Sequence, residues 1–372
     1  ADRPRVARRP VPTRYARMST GTMMSLVASP AAHTVRRSAT AHGAARPRAG
    51  RPCTRSVAAA AAATEGAVSR SGVGLHTGVE AEITIRAAAA GEGRYFAIID
   101  DDGTERGRVP CAARAVGDTR LSTALAAPAP GGGEDAPLVV QTCEHLLSAL
   151  EACGIADVRL ELRGGREVPL LDGSASPWVD ALREAGMGYF GGAGALPAKT
   201  LRLTRPVSVY EGDAFVVAMP TEGQNSRLSY GVDFPHLPAI GEQWHSLEYT
   251  FDADTAQRYA DGVAPARTFT DAATVDALRA AGLIAGGSLE NAMVASPDGG
   301  WLNPELVRFE GSEQARHKLL DLVGDLALAA SSGALGVPRG AHVMAYKASH
   351  RLHCKLAACL AEACELDDGG AA

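Results

Sequence analysis

No apolar run in this 372-residue chain is long enough to cross a bilayer, which takes about 20 consecutive apolar residues. No transmembrane segment is therefore expected. Cysteine is scarce, seven in all, and no two form a Cys-x-x-Cys pair. An odd count without paired spacing argues against a disulfide framework and for reduced thiols in packed sites. Cys354, Cys359 and Cys364 stand five apart, which distributes them around a helix instead of gathering them on a metal. Neither sign of charge dominates: 37 basic against 42 acidic residues leave a formal net charge of -5. Nothing in that balance points to a nucleic-acid partner. What remains is globular in composition, 46% hydrophobic and 21% charged, and long enough for two domains with sizeable cores.

Acidic residues are nearly absent from the N-terminal stretch, where Asp2 is the only one before Glu65. Arginine recurs there at positions 3, 5, 8, 9, 14, 17, 36, 37, 46, 48, 51 and 55, among Ala, Ser, Thr and Pro. This is the composition of an organelle transit peptide over 1–65, and the arginine density favours mitochondrion over chloroplast. The plainer alternative is a disordered basic tail that binds anionic surfaces. Ala1 is not an initiator, which leaves a missing start codon or initiation at Met18 or later as alternatives.

Beyond the extension, strand and helix patterns alternate in two rounds. Residues 79–86, 95–99 and 157–162 alternate as strands, residues 141–150 and 177–185 read as helices, and the Pro/Gly-rich segment 128–137 reads as an exposed loop. The glycine-rich stretch 188–197 reads as a linker. The second round has strands in 201–210, 215–219, 226–234, 246–251 and 342–346. Its helices fall at 253–260, 271–281, 317–331 and 353–363. The pattern predicts an α+β protein with an N-terminal domain at 66–190 and a C-terminal domain at 198–366. No sequence repeat relates the two rounds.

Two segments carry groups suited to chemistry. In the helical stretch Arg316–Asp325, His317, Asp321 and Asp325 fall at i, i+4 and i+8, on one side of an element with apolar surroundings. A buried carboxylate needs a compensating partner, and a divalent metal is one. On this segment alone, a solvated polar stripe explains the pattern as well. The second segment is Gln141–Leu150, where Thr142 is placed to cap a helix and Gly154 follows its last turn. Glu144 and His145 occupy its first turn, at the mouth of the element. His145, His317 and Asp321 would make the three protein ligands that catalytic zinc requires, with Glu144 beside them as a general base. Glu-His at a helix start is also common as an exposed capping pair.

These residues sit in blocks that resemble the zinc-dependent UDP-3-O-acyl-N-acetylglucosamine deacetylases of lipid A synthesis. The blocks stand in that family's order: Ser71–Gly78, Thr142–Leu146, Val168–Ala175, Ala266–Phe269, Gly286–Ala292, His317–Asp321 and Ala345–Lys347. The resemblance implies two α+β domains of like topology, each layering helices on sheets, with the active site between them. It implies Zn2+ on His145, His317 and Asp321, Glu144 as general base and His350 as general acid toward the leaving amine. It also implies that Asp325 orients His350, and that the Thr268 hydroxyl helps to stabilise the oxyanion. Lys318 and Lys347 are expected to meet the phosphates and hydroxyls of an acylated UDP-N-acetylglucosamine substrate, and Phe269 to give an apolar wall. The segment Asp271–Asn291 resembles the insertion that forms the acyl-chain passage. The chain is expected to act as a monomer.

The chain departs from the family pattern in places. Around the general acid, Gly-His-x-Leu-Asn-Asn-Lys is replaced by Ser349-His350-Arg351-Leu352-His353-Cys354-Lys355. After Phe269, the usual Gly-Phe is Thr270-Asp271, which adds a carboxylate near the substrate mouth. The segment Asp233–Gly241 carries one extra residue. Other residues have plain readings: His76 as structural, His236 and His245 as loop residues at the surface, His342 as a satisfied core histidine, Asp172-Gly173-Ser174 as a turn. Lys347 reads equally as a solvated strand-end lysine. Two alternative functions stand beside the deacetylase. One is a catalytically silent homologue that binds an acylated nucleotide sugar, and the other is a deacetylase of another N-acetylated glycolipid precursor.

Overall fold

Alternation between buried and exposed side chains builds the first round. The computed structural model describes residues 67–130, 136–191, 199–330 and 333–367. The expected extension, the glycine-rich centre of the 128–137 loop and most of the expected linker lie outside those residues. Strand β1 (Ala67–Val73) pairs antiparallel with β2 (Glu80–Ala87), and β3 (Arg94–Ile99) with β4 (Glu105–Pro110). A separate small hairpin, β5 (Leu125–Ala127) with β6 (Leu138–Val140), leads into helix α1 (Glu144–Ala152). Strand β7 (Val158–Arg163) and helix α2 (Ser176–Glu184) complete the round. The sheet order is β1-β2-β7-β3-β4, with β7 antiparallel to β2 and parallel to β3. Ile83, Ile85, Leu160 and Leu162 point inward and are fully buried. The other face carries a ladder of ion pairs, Arg86–Glu161, Glu161–Arg159 and Arg159–Glu105.

The second round repeats that plan with different residues. Strand β8 (Lys199–Leu203) is followed by β9 (Val207–Glu211), β10 (Ala214–Pro220), β11 (Ser226–Phe234) and β12 (Gly241–Tyr249). Then come α3 (Ala253–Gly262), β13 (Phe269–Asp271), α4 (Ala272–Ala280), β14 (Met293–Ala295) and α5 (Glu313–Leu326). The round ends with β15 (Ala334–Arg339), β16 (Ala341–Tyr346), α6 (His350–Ala363) and β17 (Cys364–Asp367). Its main sheet runs β9-β10-β16-β11-β12, with β16 antiparallel to β10 and parallel to β11. Each sheet is therefore a hairpin, a central strand and a second hairpin, with the same relative directions. The fold is α+β, built from two units of like topology. Additions to the second round are the three-stranded sheet β15-β8-β17 and the parallel pair β13–β14, which brackets α4.

Helices α1 and α5 precede the central strands β7 and β16, so they hold equivalent places. Both are buried almost all round, and they pack on each other. A Cβ on Gly324 of α5 would collide with the main-chain carbonyl of Glu144 on α1. Glycine at 324 is what permits this backbone approach. Ser148 of α1 donates to the carbonyl of Leu320 at 2.7 Å, a second tie along the same seam. Buried polar side chains on these two helices consequently face each other.

Several sequence expectations shift. The strands expected in 201–210 belong to different sheets: β8 joins the three-stranded sheet and β9 the main one. Strand β12 begins five residues before the expected 246, because its inward side carries the polar Gln243 and His245 while Trp244 is exposed, which masks the alternation. His245 therefore lies half-buried on a strand, not in a surface loop. His342 is half-buried on the outward side of β16, 3.0 Å from the Ser229 hydroxyl. Strands β1, β4, β15 and β17 and the three-residue strands β5, β6, β13 and β14 escaped detection; β1 is an edge strand whose small polar residues leave little alternation to read. Among the described residues every cysteine is free, as expected.

Candidate active site

Helix α1 contributes Glu144 and His145, which are 3% and 6% exposed despite their position in the first turn. Their side chains are therefore inside the protein, not at an exposed helix mouth. Thr142 does not cap the helix. Cys143 holds that position, and Thr142 takes a left-handed backbone with φ 55°. Its hydroxyl donates instead to Oε1 of the fully buried Glu167 at 2.7 Å. The same Glu167 carboxylate accepts the amides of His76 and Thr77, which pins the Gly74–Gly78 turn beside the helix start. His76 thus has a structural main-chain role.

Helix α5 contributes His317, Asp321 and Asp325. Their spacing puts them on the side that faces α1. His145 Nε2 lies 3.6 Å from Asp321 Oδ1, and His317 Nε2 lies 3.5 Å from the same oxygen. Oδ1 of Asp321 is buried and has no hydrogen-bond partner. The three side chains offer ligand atoms within 4.8 Å of one another. His317 Nδ1 is 3.1 Å from the Ala266 carbonyl, which can only accept. The ring proton is thereby fixed on Nδ1, leaving the Nε2 lone pair turned to the site. An orphaned carboxylate oxygen between two imidazoles fits a divalent cation. Arg267 and Glu313, both fully buried and paired at 3.4 Å, hold the 266–269 segment against the start of α5.

The protonation states agree with that reading. Burial works against charging His317 and brings its pKa to about 3, the neutral state a ligand needs. Burial alone would raise the pKa of Asp321, but Lys318, with its Nζ 2.6 Å from Oδ2, and His317 outweigh it and hold the carboxyl well below the usual range. Burial pushes the Glu144 carboxyl up, with His350 and His145 opposing.

Helix α6 brings His350. Its Nδ1 meets Asp325 Oδ2 at 2.9 Å, and its Nε2 lies 3.8 Å from Glu144 Oε1 and 3.9 Å from Asp321 Oδ2. Burial opposes the charged ring, but the Asp325 carboxylate and then Glu144 overcome it and lift the His350 pKa to about 9. Burial likewise fails to neutralise Asp325, which His350 and His353 hold at about 2. His353 stands where the family pattern has Asn. Its Nδ1 reaches the same Asp325 Oδ2 at 2.9 Å, and Tyr230 lies 3.0 Å from its Nε2.

Glu144, His145, Thr268, Phe269, His317, Lys318, Asp321 and His350 line one cavity of about 130 Å³. Asp325 sits behind His350 and does not reach the cavity. Lys347 also stands apart, its ammonium 2.7 Å from Asp213 and 3.6 Å from Asp233. Phe269 presents edge-to-face contacts to His317 and Phe234. Asp271 is spent as the cap of α4, accepting the Thr274 amide at 3.0 Å. An adjoining apolar cavity of about 360 Å³ opens past Phe269, lined by Val275 and Leu278 of α4 and by Leu75, Ile284 and Leu289. Sequence reasoning missed Thr123, Glu167 and the Ala266 carbonyl. Thr123 and Glu167 lie outside the blocks that resemble the family, a main-chain carbonyl such as that of Ala266 carries no residue-type signal, and only the fold brings them to the site.

The profile of the family described as LpxC: UDP-3-O-acyl N-acetylglycosamine deacetylase matches residues 62–362. A UDP-3-O-acyl-N-acetylglucosamine deacetylase of Nostoc sp. is 45% identical over 293 residues, 78% of this chain and 94% of that protein. The protein of that name from Thermosynechococcus vestitus is 46% identical over 292 residues, 78% of this chain and 90% of its own length. An Arabidopsis thaliana protein named probable UDP-3-O-acyl-N-acetylglucosamine deacetylase 1, mitochondrial, is 38% identical over 301 residues, 78% of this chain and 85% of that protein. The profile match runs from before β1 to the last turn of α6 and takes in all three helices of the site, and the chain belongs to the LpxC family of UDP-3-O-acyl-N-acetylglucosamine deacetylases.

Proposed function

We propose that this protein is a zinc amidohydrolase that removes the N-acetyl group of UDP-3-O-(3-hydroxyacyl)-N-acetylglucosamine, releasing acetate in the committed step of lipid A biosynthesis. The observation that carries the reading is the orphaned Asp321 Oδ1 between His145 and His317, with Glu144 and His350 at its side. His145, His317 and Asp321 would hold the zinc. Bound there, zinc supplies Lewis acidity toward the acetyl carbonyl and the attacking water.

The chain's own residues divide the proton work. Glu144, its affinity for a proton raised by burial, takes the proton from the attacking water. His350 carries a proton on Nε2, the nitrogen 3.8 Å from Glu144, and delivers it to the leaving amine of the sugar. Asp325 holds His350 Nδ1 and so fixes which nitrogen faces the substrate. Thr268 offers its hydroxyl to the developing oxyanion. Lys318 lines the cavity and offers its ammonium to the sugar-nucleotide, and Phe269 forms its apolar wall. We keep Lys347 as an outer contact for the nucleotide, to be released from Asp213 on binding. The apolar cavity beside α4 receives the acyl chain.

The domain partition at 66–190 and 198–366, and monomeric action, belong to the same reading. So does import into a mitochondrion, supported by the arginine-rich, acid-poor stretch before Glu65 and by the mitochondrial naming of the Arabidopsis relatives. A plastid is the second reading, because the cyanobacterial relatives reach 44–46% identity against 38% for those from Arabidopsis. A fluorescent fusion of residues 1–65 separates the two by where it accumulates.

The function is tested by acetate release from UDP-3-O-(3-hydroxyacyl)-N-acetylglucosamine, before and after chelation and zinc restoration. Turnover that disappears with chelation and returns with zinc supports the assignment. Folded, zinc-loaded protein that binds this substrate without releasing acetate overturns it in favour of a silent binder.

A further inference from the structure

Thr123 lies in the stretch leading into β5, is fully buried, and uses every polar group it has on the site. Its amide donates to Glu144 Oε2 at 3.0 Å. Its carbonyl accepts the amide and the thiol of Cys143, the residue before Glu144, each at 3.2 Å. Its hydroxyl donates to Asp325 Oδ1 at 2.5 Å. Asp325 Oδ2 in turn accepts His350 Nδ1 at 2.9 Å, and His350 Nε2 faces Glu144 Oε1 across 3.8 Å. These contacts close a ring: Thr123, Glu144, His350, Asp325 and back to Thr123. Every link is at hydrogen-bond distance except the one between Glu144 and His350. That gap faces the cavity, and it is where the two proton-handling groups must stand on either side of a reacting amide.

We propose that Thr123 is a positioning residue for the deacetylation, setting the distance and orientation between Glu144 and the Asp325–His350 pair from a single rigid point. The inference rests on the deacetylase reading. Its physical basis is that Asp325 has two carboxylate oxygens and three donors. With the hydroxyl on Oδ1, the carboxylate plane cannot turn, and Oδ2 stays where His350 needs it. Without that hydroxyl, Oδ1 loses its strong donor and has only the weakly donating Cys354 thiol nearby, so the carboxylate rotates toward the donors that are left. His353, the second imidazole on Oδ2, makes such a rotation easy in this chain. The amide link to Glu144 would survive, so the coupling between base and acid is lost while each group remains.

The test is the near-isosteric change Thr123→Val set against Thr123→Ser. The Val variant is expected to lose tenfold or more in kcat with KM within twofold and metal content unchanged. The Ser variant, which keeps the hydroxyl, is expected to rescue kcat to within about threefold of the parent. In an Asp325→Asn background the Val change should have almost no further effect, a non-additivity that general loosening of the core would not produce. Parental kcat in a folded Val variant overturns the proposal. So does a Ser variant that loses tenfold or more, a result that stands whether or not the Val variant folds. A readout without substrate separates this inference from the function itself: the Nδ1 proton resonances of His350 and His353 in ¹⁵N-histidine spectra. They should move in Thr123→Val and hold in Thr123→Ser, whether or not the parent releases acetate. Unmoved resonances in the Val variant also count against it.

Discussion

The α-carbon of Gly324 rests against the main-chain carbonyl of Glu144, closer than any side chain at 324 would allow. The helix of His317 and Asp321 and the helix of Glu144 and His145 therefore meet backbone to backbone. That contact fixes the spacing between the proposed metal ligands. Gly324→Ala should destabilise the protein by about 1–3 kcal/mol, because neither backbone can give way. The site should loosen before the fold is lost. A thermal melt with a metal titration checks this; a variant with the parental melting temperature and metal affinity would show that the seam can relax.

Glu144 and His317 should separate chemistry from metal binding. Glu144→Ala is expected to keep its metal and lose roughly 10²–10⁴-fold in turnover, the usual span for a general base. His317→Ala should lose the metal itself, since only two donors remain. Metal analysis after gel filtration, beside acetate release, reads both. A fully loaded His317 variant would remove that residue from the ligand set.

The pH dependence follows from the two proton-handling groups. Glu144 must be ionised to act as base, and burial raises its pKa, so activity should fall with decreasing pH above the ordinary carboxylate range. His350 must be protonated to act as acid, so activity should fall as pH rises through about 9. The expected kcat/KM profile is a bell, and His350→Ala should flatten its basic limb. A basic limb that persists in that variant would assign the acid elsewhere.

Chain-length preference should answer to α4. Leu278→Trp places a large ring in the apolar cavity beside Phe269. The kcat/KM for a long 3-O-acyl substrate should drop about tenfold or more, with a short-acyl analogue changed less than threefold. Equal losses on both would mean that the cavity does not receive the chain.

Much of this protein was legible before any coordinates. Periodicity located both helices of the site. The i, i+4 spacing put His317 and Asp321 on one face, and their residue types suit a metal. Other readings failed for physical reasons. Thr142 carries a capping residue type, but the fully buried Glu167 outbids the helix amides for its hydroxyl. Asp271 looked free to meet substrate and instead caps the helix that follows it. His353 stood out only as a departure from the family pattern; the fold puts its Nδ1 on the same Asp325 oxygen that meets His350.

The sequence by itself determined which groups are available and which helix face each occupies, because both follow from side-chain chemistry and a local period of 3.6 residues. Only the tertiary structure decided their use. It brought His145 to 3.6 Å from Asp321, turned His317 Nδ1 to the Ala266 carbonyl, and set Thr123 between Glu144 and Asp325. Each of these depends on close packing between segments far apart in the chain, and no local window of sequence contains both partners.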